Sequence, residues 1–104
     1  MQDGLYVVTF KTQMGEGAGV VSLRDGKFAG GDSAMIYRGT ITHTGNDIEA
    51  QVTVARHNQG MQSVLGIDNA SLSLKGPSDD THARLSGSSH GVTLHAELRR
   101  AGDL

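Results

Sequence analysis

Five histidines occur among 104 residues, a high number for this length, and imidazole is a common ligand of transition metals. No two of them form a His-x-His or His-x-x-x-His pair, the spacings that bring two imidazoles to one face of a strand or helix. We therefore expect no metal site and no cofactor, and interpret the histidines as solvated strand residues. The five histidines are His43, His57, His82, His90 and His95.

Residues suited to nucleophilic and acid–base catalysis are present but scattered. A hydrolase serine sits on a strand-to-helix turn, whereas Gly87-Ser88-Ser89 falls in a predicted hairpin. Asp79 and Asp80, which carry carboxylates, follow Pro77 in a segment that is typical of a polar turn. Catalysis would require distant titratable groups to converge in one pocket, namely His43, His57, Asp32 and Tyr37. We predict a protein without enzymatic activity.

Charge and cysteine content exclude further classes. The formal net charge is -2 with acids and bases interleaved, so the positive field that phosphate-backbone binding needs is missing, and we expect no direct nucleic-acid binding. The absence of cysteine excludes disulfides and thiolate catalysis and fits a reducing compartment. The N-terminus has no signal-like apolar region, and no run approaches the roughly 20 apolar residues of a membrane helix. We predict a cytoplasmic protein that does not bind membranes.

Abundant glycine and runs of Val, Ile, Thr and Leu between turn residues are typical of an antiparallel sheet. The pattern predicts about eight strands in one domain, residues 1–104. Closure into an up-and-down barrel removes exposed edges and is favoured over two packed sheets. Residues 58–69 have a more helical spacing and predict one short helix or helical turn. The predicted strands cover residues 5–12, 17–24, 27–30, 36–44, 47–57 and 71–75, together with a final hairpin.

Three hairpin turns follow from local chemistry and from matching apolar faces. They are Asp25-Gly26, Gly45-Asn46 and Ser89-His90. The second turn places Ile41 opposite Ala50, Tyr37 opposite Val54 and Thr42 opposite Glu49. The third places Leu85 opposite Leu94 and Ala83 opposite Ala96 on the inner face.

A glycine-rich segment has a structural interpretation of its own. Gly30 and Gly31 permit a bulge or sharp bend, and the Asp32 carboxylate can accept hydrogen bonds from backbone amides of the turn. Tyr37 then points inward, where its hydroxyl needs a partner, and Gly39 leaves room for the ring. Since only four aromatic residues are present, we expect a narrow, filled barrel rather than a roomy one.

The run Gly30-Gly31-Asp32-x-x-x-x-Tyr37-x-Gly39 resembles the GrlR family of type III secretion negative regulators. The opening Asp3-Gly4-Leu5-Tyr6 and Ser63-Val64-Leu65 extend the resemblance more loosely over nearly the whole chain. It implies a lipocalin-like barrel of eight strands with a short helix, a homodimer, and repression by binding a transcriptional activator. The family's acidic partner-binding loop falls, by order along the chain, at residues 42–47, where only Asp47 is acidic.

These observations predict a non-enzymatic regulatory or protein-interaction module. Two surfaces are predicted to bind a partner: the turn at Thr44, Gly45, Asn46 and Asp47, and an apolar group, Met61, Val64 and Leu65. The alternative is a small carrier of a lipid or other hydrophobic ligand, because up-and-down barrels can hold one small apolar molecule.

Overall fold

The computed structural model describes residues 1–58, 69–89 and 91–104 and is a closed antiparallel barrel. Each strand pairs with its neighbours in sequence, and β1 pairs with β8 to close the barrel. The prediction of an all-β, up-and-down barrel is confirmed. The strands are β1 Gly4–Thr12, β2 Gly15–Arg24, β3 Lys27–Gly31, β4 Met35–Thr44, β5 Asp47–Arg56, β6 Asn69–Pro77, β7 His82–Ser89 and β8 Val92–Gly102.

Two of the predicted hairpins are confirmed in register. Asp25 and Gly26 both have positive φ, 52° and 75°, as a two-residue turn with the twist of its strands requires. Gly45 has φ 62° and joins β4 to β5. Ile41 lies opposite Ala50, as predicted, together with the other two pairs of that hairpin.

The predicted register of the β7–β8 hairpin is wrong by two residues. Leu85 lies opposite Ala96, and Ala83 opposite Leu98. The turn lies between Ser89 and Val92 and contains Gly91, whose φ of 76° suits a tight turn. A shift of two residues leaves every side chain on its face, so alternation alone could not detect the error.

The barrel has two distinct ends. At the end that we call lower, the first residues lie beside the turn 78–81, which lies beside the turn 45–46: Gln2 N donates to Asp80 O at 2.8 Å, and Ser78 N donates to Asn46 O at 2.9 Å. At the upper end lie the segment 32–34, the last residues of β5 and the first of β6. The predicted helix at 58–69 lies almost wholly outside the described residues.

The lower half of the interior is filled. Tyr6 and Ile48 are the largest side chains that are fully buried, at 0% exposure, and Leu23 and Ala83 pack in the same core. The Tyr6 hydroxyl donates to Gln2 O at 2.5 Å and lies 3.3 Å from Asp80 O. Burial raises the pKa of this hydroxyl above its ordinary value of 10.0. Tyr6 therefore fastens the N-terminal residues across the lower end.

Inward-facing glycines make room for rings on the neighbouring strands. A Cβ on Gly17 would lie 2.6 Å from the Phe10 ring, and one on Gly39 would lie 2.7 Å from the Phe28 ring. Phe10 is the cross-strand partner of Gly17, and Phe28 that of Gly39. Each ring thus lies against a stretch of wall that has no side chain of its own.

Among the described residues there is no helix with the length and apolar character needed to cross a membrane.

Candidate functional site

The upper half of the barrel is hollow. It contains a cavity of about 300 Å³, which is within the size range of small-molecule sites in proteins, roughly 300–1,000 Å³. The expectation of a narrow, filled interior is therefore wrong for this half. Its lining extends down to Phe28, Ile41 and Ala50, whereas the fully buried Tyr6 and Ile48 near the lower end do not line it.

The cavity walls differ in chemistry from one side to the other. Phe10, Phe28 and Tyr37, on β1, β3 and β4, supply rings, and the Phe10 and Tyr37 rings meet edge to face with centroids 5.8 Å apart. The wall from β6 to β8 is aliphatic. On this wall the cavity is lined by Leu72, Leu74, Leu85, Leu94, Ala96 and Leu98.

At the upper edge of the cavity, Asp32 organises the segment between β3 and β4, which we call the Asp32 corner, residues 32–35. Its Oδ1 accepts hydrogen bonds from the backbone amides of Ala34 and Met35, each at 2.8 Å. Its Oδ2 accepts the Tyr37 hydroxyl. Both sequence-derived expectations, an Asp carboxylate bonded to turn amides and a partner for the Tyr37 hydroxyl, hold in the structure.

His57, the residue directly after β5, forms hydrogen bonds with the Asp32 corner. Its backbone amide donates to Ala34 O at 2.9 Å, and its Nε2 lies 2.7 Å from Asp32 O. Three of the four groups considered for catalysis thus converge here, whereas His43 lies at the lower end, 3.2 Å from the N-terminal amine. Because the Asp32 carboxylate is occupied by two amides and a hydroxyl, the arrangement is explained by holding the corner together.

Gly30 and Gly31 act differently from expectation. The described pairing of β3 with β2 and β4 shows no bulge at either residue. Instead, a Cβ on Gly30 would overlap Val20 O, and one on Gly31 would lie 2.5 Å from Met35 O. These glycines allow close approach of backbones. Gly39 makes room for Phe28 rather than for Tyr37, whose ring lies near Gly19.

The turn proposed for partner binding is accessible. Thr44, Gly45 and Asn46 are exposed, and Asp47 is half-buried. The hydrogen bond from Ser78 N to Asn46 O brings the acidic turn that contains Asp79 and Asp80 beside it.

The Asp79 carboxylate accepts a hydrogen bond within its own turn. A hydrogen bond from the Thr81 amide to its carboxylate lowers the pKa of Asp79 below 3.8. The acidic character that the 44–47 turn lacks in sequence is thus supplied by a neighbouring turn in space.

The second predicted partner group, Met61, Val64 and Leu65, lies outside the described residues. The strands that flank it, β5 and β6, run from the 44–47 turn and its neighbour Pro77 to the opposite, upper end of the barrel. The described strand ends that flank this group, Arg56 and Asn69, therefore lie at the opposite end of the barrel from the 44–47 turn.

The other candidate groups have structural roles on the outer wall. His82 Nε2 lies 3.1 Å from Glu97 Oε1, and Arg84 Nε lies 3.6 Å from Glu97 Oε2. Residues 87–91 match the Gly-x-Ser-x-Gly spacing, but the chain passes from β7 directly into β8, without the helix of a nucleophile elbow. No group of three or more potential metal ligands occurs among the described residues.

Sequence reasoning missed the cavity itself. The inner faces carry small residues as well as large ones, and the structure shows which of these are covered by a ring and which border open space. The available signal was the number of inward glycines and alanines in the predicted strands.

No protein-family model matches the chain, and no curated protein matches it.

Proposed function

We propose that this protein is a non-enzymatic regulatory module of the GrlR type, which captures a transcriptional activator on its outer surface. The observation that carries the proposal is the segment 30–39. The residues that resemble the family's motif form one unit: Asp32 and Tyr37 join β3 to β4 through hydrogen bonds, Gly31 allows close backbone approach to β4, and Gly30 allows it to β2. We propose together with this function that the barrel has a lipocalin-like architecture.

The lower end is the proposed partner surface. There the exposed turn at Thr44, Gly45 and Asn46 is followed by Asp47, and its backbone is hydrogen-bonded to Ser78, which precedes Asp79 and Asp80. Negative charge around an exposed turn complements a basic protein surface and accelerates encounter with it. The undescribed residues Met61, Val64 and Leu65 remain the proposed apolar part of partner binding.

The experiment is an affinity pull-down from the source cell with identification of captured proteins by mass spectrometry. The test variants are Asp47→Lys and Asp80→Lys. Glu16→Lys is the matched control, because it makes the same charge change at an exposed site near the upper end. Thermal unfolding of each variant verifies that the barrel is intact.

We expect a transcription factor to be captured by the wild type and by Glu16→Lys, and to be reduced at least tenfold with both lower-end variants. Equal capture by all four proteins would refute the proposed surface. Absence of any transcription factor from the wild-type eluate would refute the regulator function.

The proposed homodimer has a candidate face on the outer wall. Val20 and Ile36 are exposed, at 50% and 37%, and flank Gly31 in one cross-strand row. Sedimentation of the wild type and of Val20→Lys tests it. A dimer that Val20→Lys dissociates supports this face, and a wild-type monomer contradicts it.

A second candidate function is binding of a small hydrophobic ligand, and the upper cavity favours it. Native mass spectrometry of gently extracted protein should show a stoichiometric bound molecule that organic solvent removes. Protein that is repeatedly free of any ligand would count against this function.

A further inference from the structure

We infer that the upper cavity selects a compact, uncharged molecule of about the size of a two-ring aromatic compound, and excludes carboxylates and long acyl chains. This inference rests on the second proposed function, the binding of a hydrophobic ligand. Three properties of the cavity carry it: its volume, its depth and the chemistry of its walls.

The volume sets the size of the ligand. An engineered apolar cavity of roughly 150 Å³ holds one benzene molecule, so the cavity of about 300 Å³ has room for approximately twice that volume. A molecule with about ten carbon atoms in two rings matches this space.

The filled lower half sets the length. An extended long acyl chain would have to pass through the barrel toward the lower end, where Tyr6 and Ile48 are both completely buried. Tyr6 is also hydrogen-bonded to the N-terminal segment at 2.5 Å. Since neither side chain lines the cavity, a ligand that extended past the upper half would have to displace them.

The polar lining sets the charge. Among the described residues that line the cavity, the ionisable ones besides Tyr37 are Glu16 and Asp32, which are both acids, and none is a lysine, arginine or histidine. A ligand carboxylate would leave water for an apolar cavity with two carboxylates at its edge and no cation among the described residues of its lining. Ser33, which is exposed at the same edge, offers a hydroxyl to a neutral polar group.

The wall chemistry favours a flat ring. Phe10, Phe28 and Tyr37 form the wall on β1, β3 and β4, and aromatic pairs prefer edge-to-face or offset geometry. The opposite leucine-rich wall can pack on the other face of the same molecule. A planar two-ring compound can therefore contact both walls at once.

The experiment compares 1-naphthalenemethanol with 1-naphthoate, which share the ring system and differ in charge at pH 7. Octan-1-ol and dodecan-1-ol, which differ in length, form the second pair. Binding is measured by titration calorimetry, and the location of the ring by NMR contacts to the Ala96 and Val52 methyl groups.

The cavity variants are Ala96→Leu and Ala50→Leu, both at buried lining positions. The matched control is Ala55→Leu, which makes the same change at an exposed position of β5. Circular dichroism and thermal unfolding show whether each variant is folded, and two cavity variants are used so that one folding failure leaves the test intact.

We expect 1-naphthalenemethanol to bind the wild type and Ala55→Leu with a stoichiometry of one, and the cavity variants at least tenfold more weakly. We expect 1-naphthoate to bind the wild type at least tenfold more weakly than the alcohol does, and octan-1-ol to bind more tightly than dodecan-1-ol.

Failure of the inference can be told apart from failure of the function on which it rests. If 1-naphthoate or dodecan-1-ol binds the cavity as tightly as its partner compound, a ligand-binding function stands and the selectivity inferred here is overturned. If none of the four compounds binds the wild type, both the inference and the hydrophobic-ligand function are overturned.

Discussion

The two halves of the barrel are built on the same strands with the same alternation, yet one is solid and the other is hollow. In the lower half Tyr6 and Ile48 have no exposure, and Leu23 and Ala83 complete the packing. In the upper half a cavity of about 300 Å³ remains between the walls. Alternation thus determines which side chains face inward, but it does not determine whether they fill the space.

The difference follows from where the rings lie. Tyr6 reaches across the lower end, where its hydroxyl bonds to Gln2 O. Phe10 and Phe28 instead lie over Gly17 and Gly39 on the adjoining strands. A ring that covers a glycine packs along the wall and leaves the centre of the barrel open.

Truncation of the solid half should give the largest effect. Tyr6→Ala should lower the free energy of unfolding by about 3–5 kcal/mol, because it removes a fully buried ring. Val8→Ala, at the next inward position of β1 and half-buried beside the cavity, should lower it by about 1 kcal/mol. Urea unfolding at pH 7 measures both. Equal losses would contradict the distinction between the two halves.

The close contact between glycine and ring should give the next largest effect. Gly39→Ala should lower the free energy of unfolding by roughly 2–3 kcal/mol, since the new Cβ would overlap Gln51 O and lie 2.7 Å from the Phe28 ring. Gly102→Ala is the control, because nothing lies within 4 Å of its Cβ. Denaturant unfolding measures both variants. If both lose the same free energy of unfolding, the Phe28 ring and the neighbouring backbone can shift to accept the new Cβ.

The sharpest comparison inserts the same side chain into each half. Ala83→Leu in the solid half should lower the free energy of unfolding by about 1–3 kcal/mol through overpacking. Ala96→Leu beside the cavity should be neutral or raise it by up to about 1 kcal/mol, because the added atoms enter open space. Thermal and urea unfolding of the two variants test this. If both substitutions lower the free energy of unfolding, the space beside Ala96 is too small to accept the added atoms.

The smallest effect concerns the outer wall. A hydrogen bond from His82, and then the charge of Arg84, lower the pKa of Glu97 below its ordinary value of 4.5. A carboxylate with a depressed folded-state pKa contributes stability above about pH 4.5, and this contribution is lost as the pH falls through the folded-state value.

Glu97→Gln should therefore make the loss of stability below pH 4.5 less steep. Glu16→Gln is the control, because Glu16 pairs with Lys11 at 3.6 Å between two largely exposed side chains. Melting temperatures from pH 3 to pH 7 provide the comparison. If the melting temperature of Glu97→Gln depends on pH as that of the wild type does, the ion pairs of Glu97 do not contribute to the loss of stability in acid.

The sequence predicted the barrel and two of its hairpins because local chemistry determines them. Gly26 and Gly45 adopt the positive φ that their turns need, and the strands on either side then pair in only one way. The β7–β8 register escaped prediction because a shift of two residues preserves every face.

The candidate site was less predictable. The bonds of Asp32 and Tyr37 could be anticipated because a buried hydroxyl and a turn carboxylate both need partners nearby. The cavity could not be anticipated, because it depends on the direction in which each aromatic side chain points from its strand. The acidic neighbourhood of Asn46 was also hidden, since Asp79 and Asp80 are distant in sequence and reach it only through the closed barrel.

The way in which β1 meets β8 has a kinetic consequence. Among the described strands, every other pairing joins neighbours in sequence, whereas Leu5 pairs with Gly102 from the far end of the chain. Closing so long a loop costs about 2 kcal/mol more conformational entropy than closing a ten-residue hairpin. The hairpins can form early and independently, so closure of the barrel is expected as the late, slow event of folding.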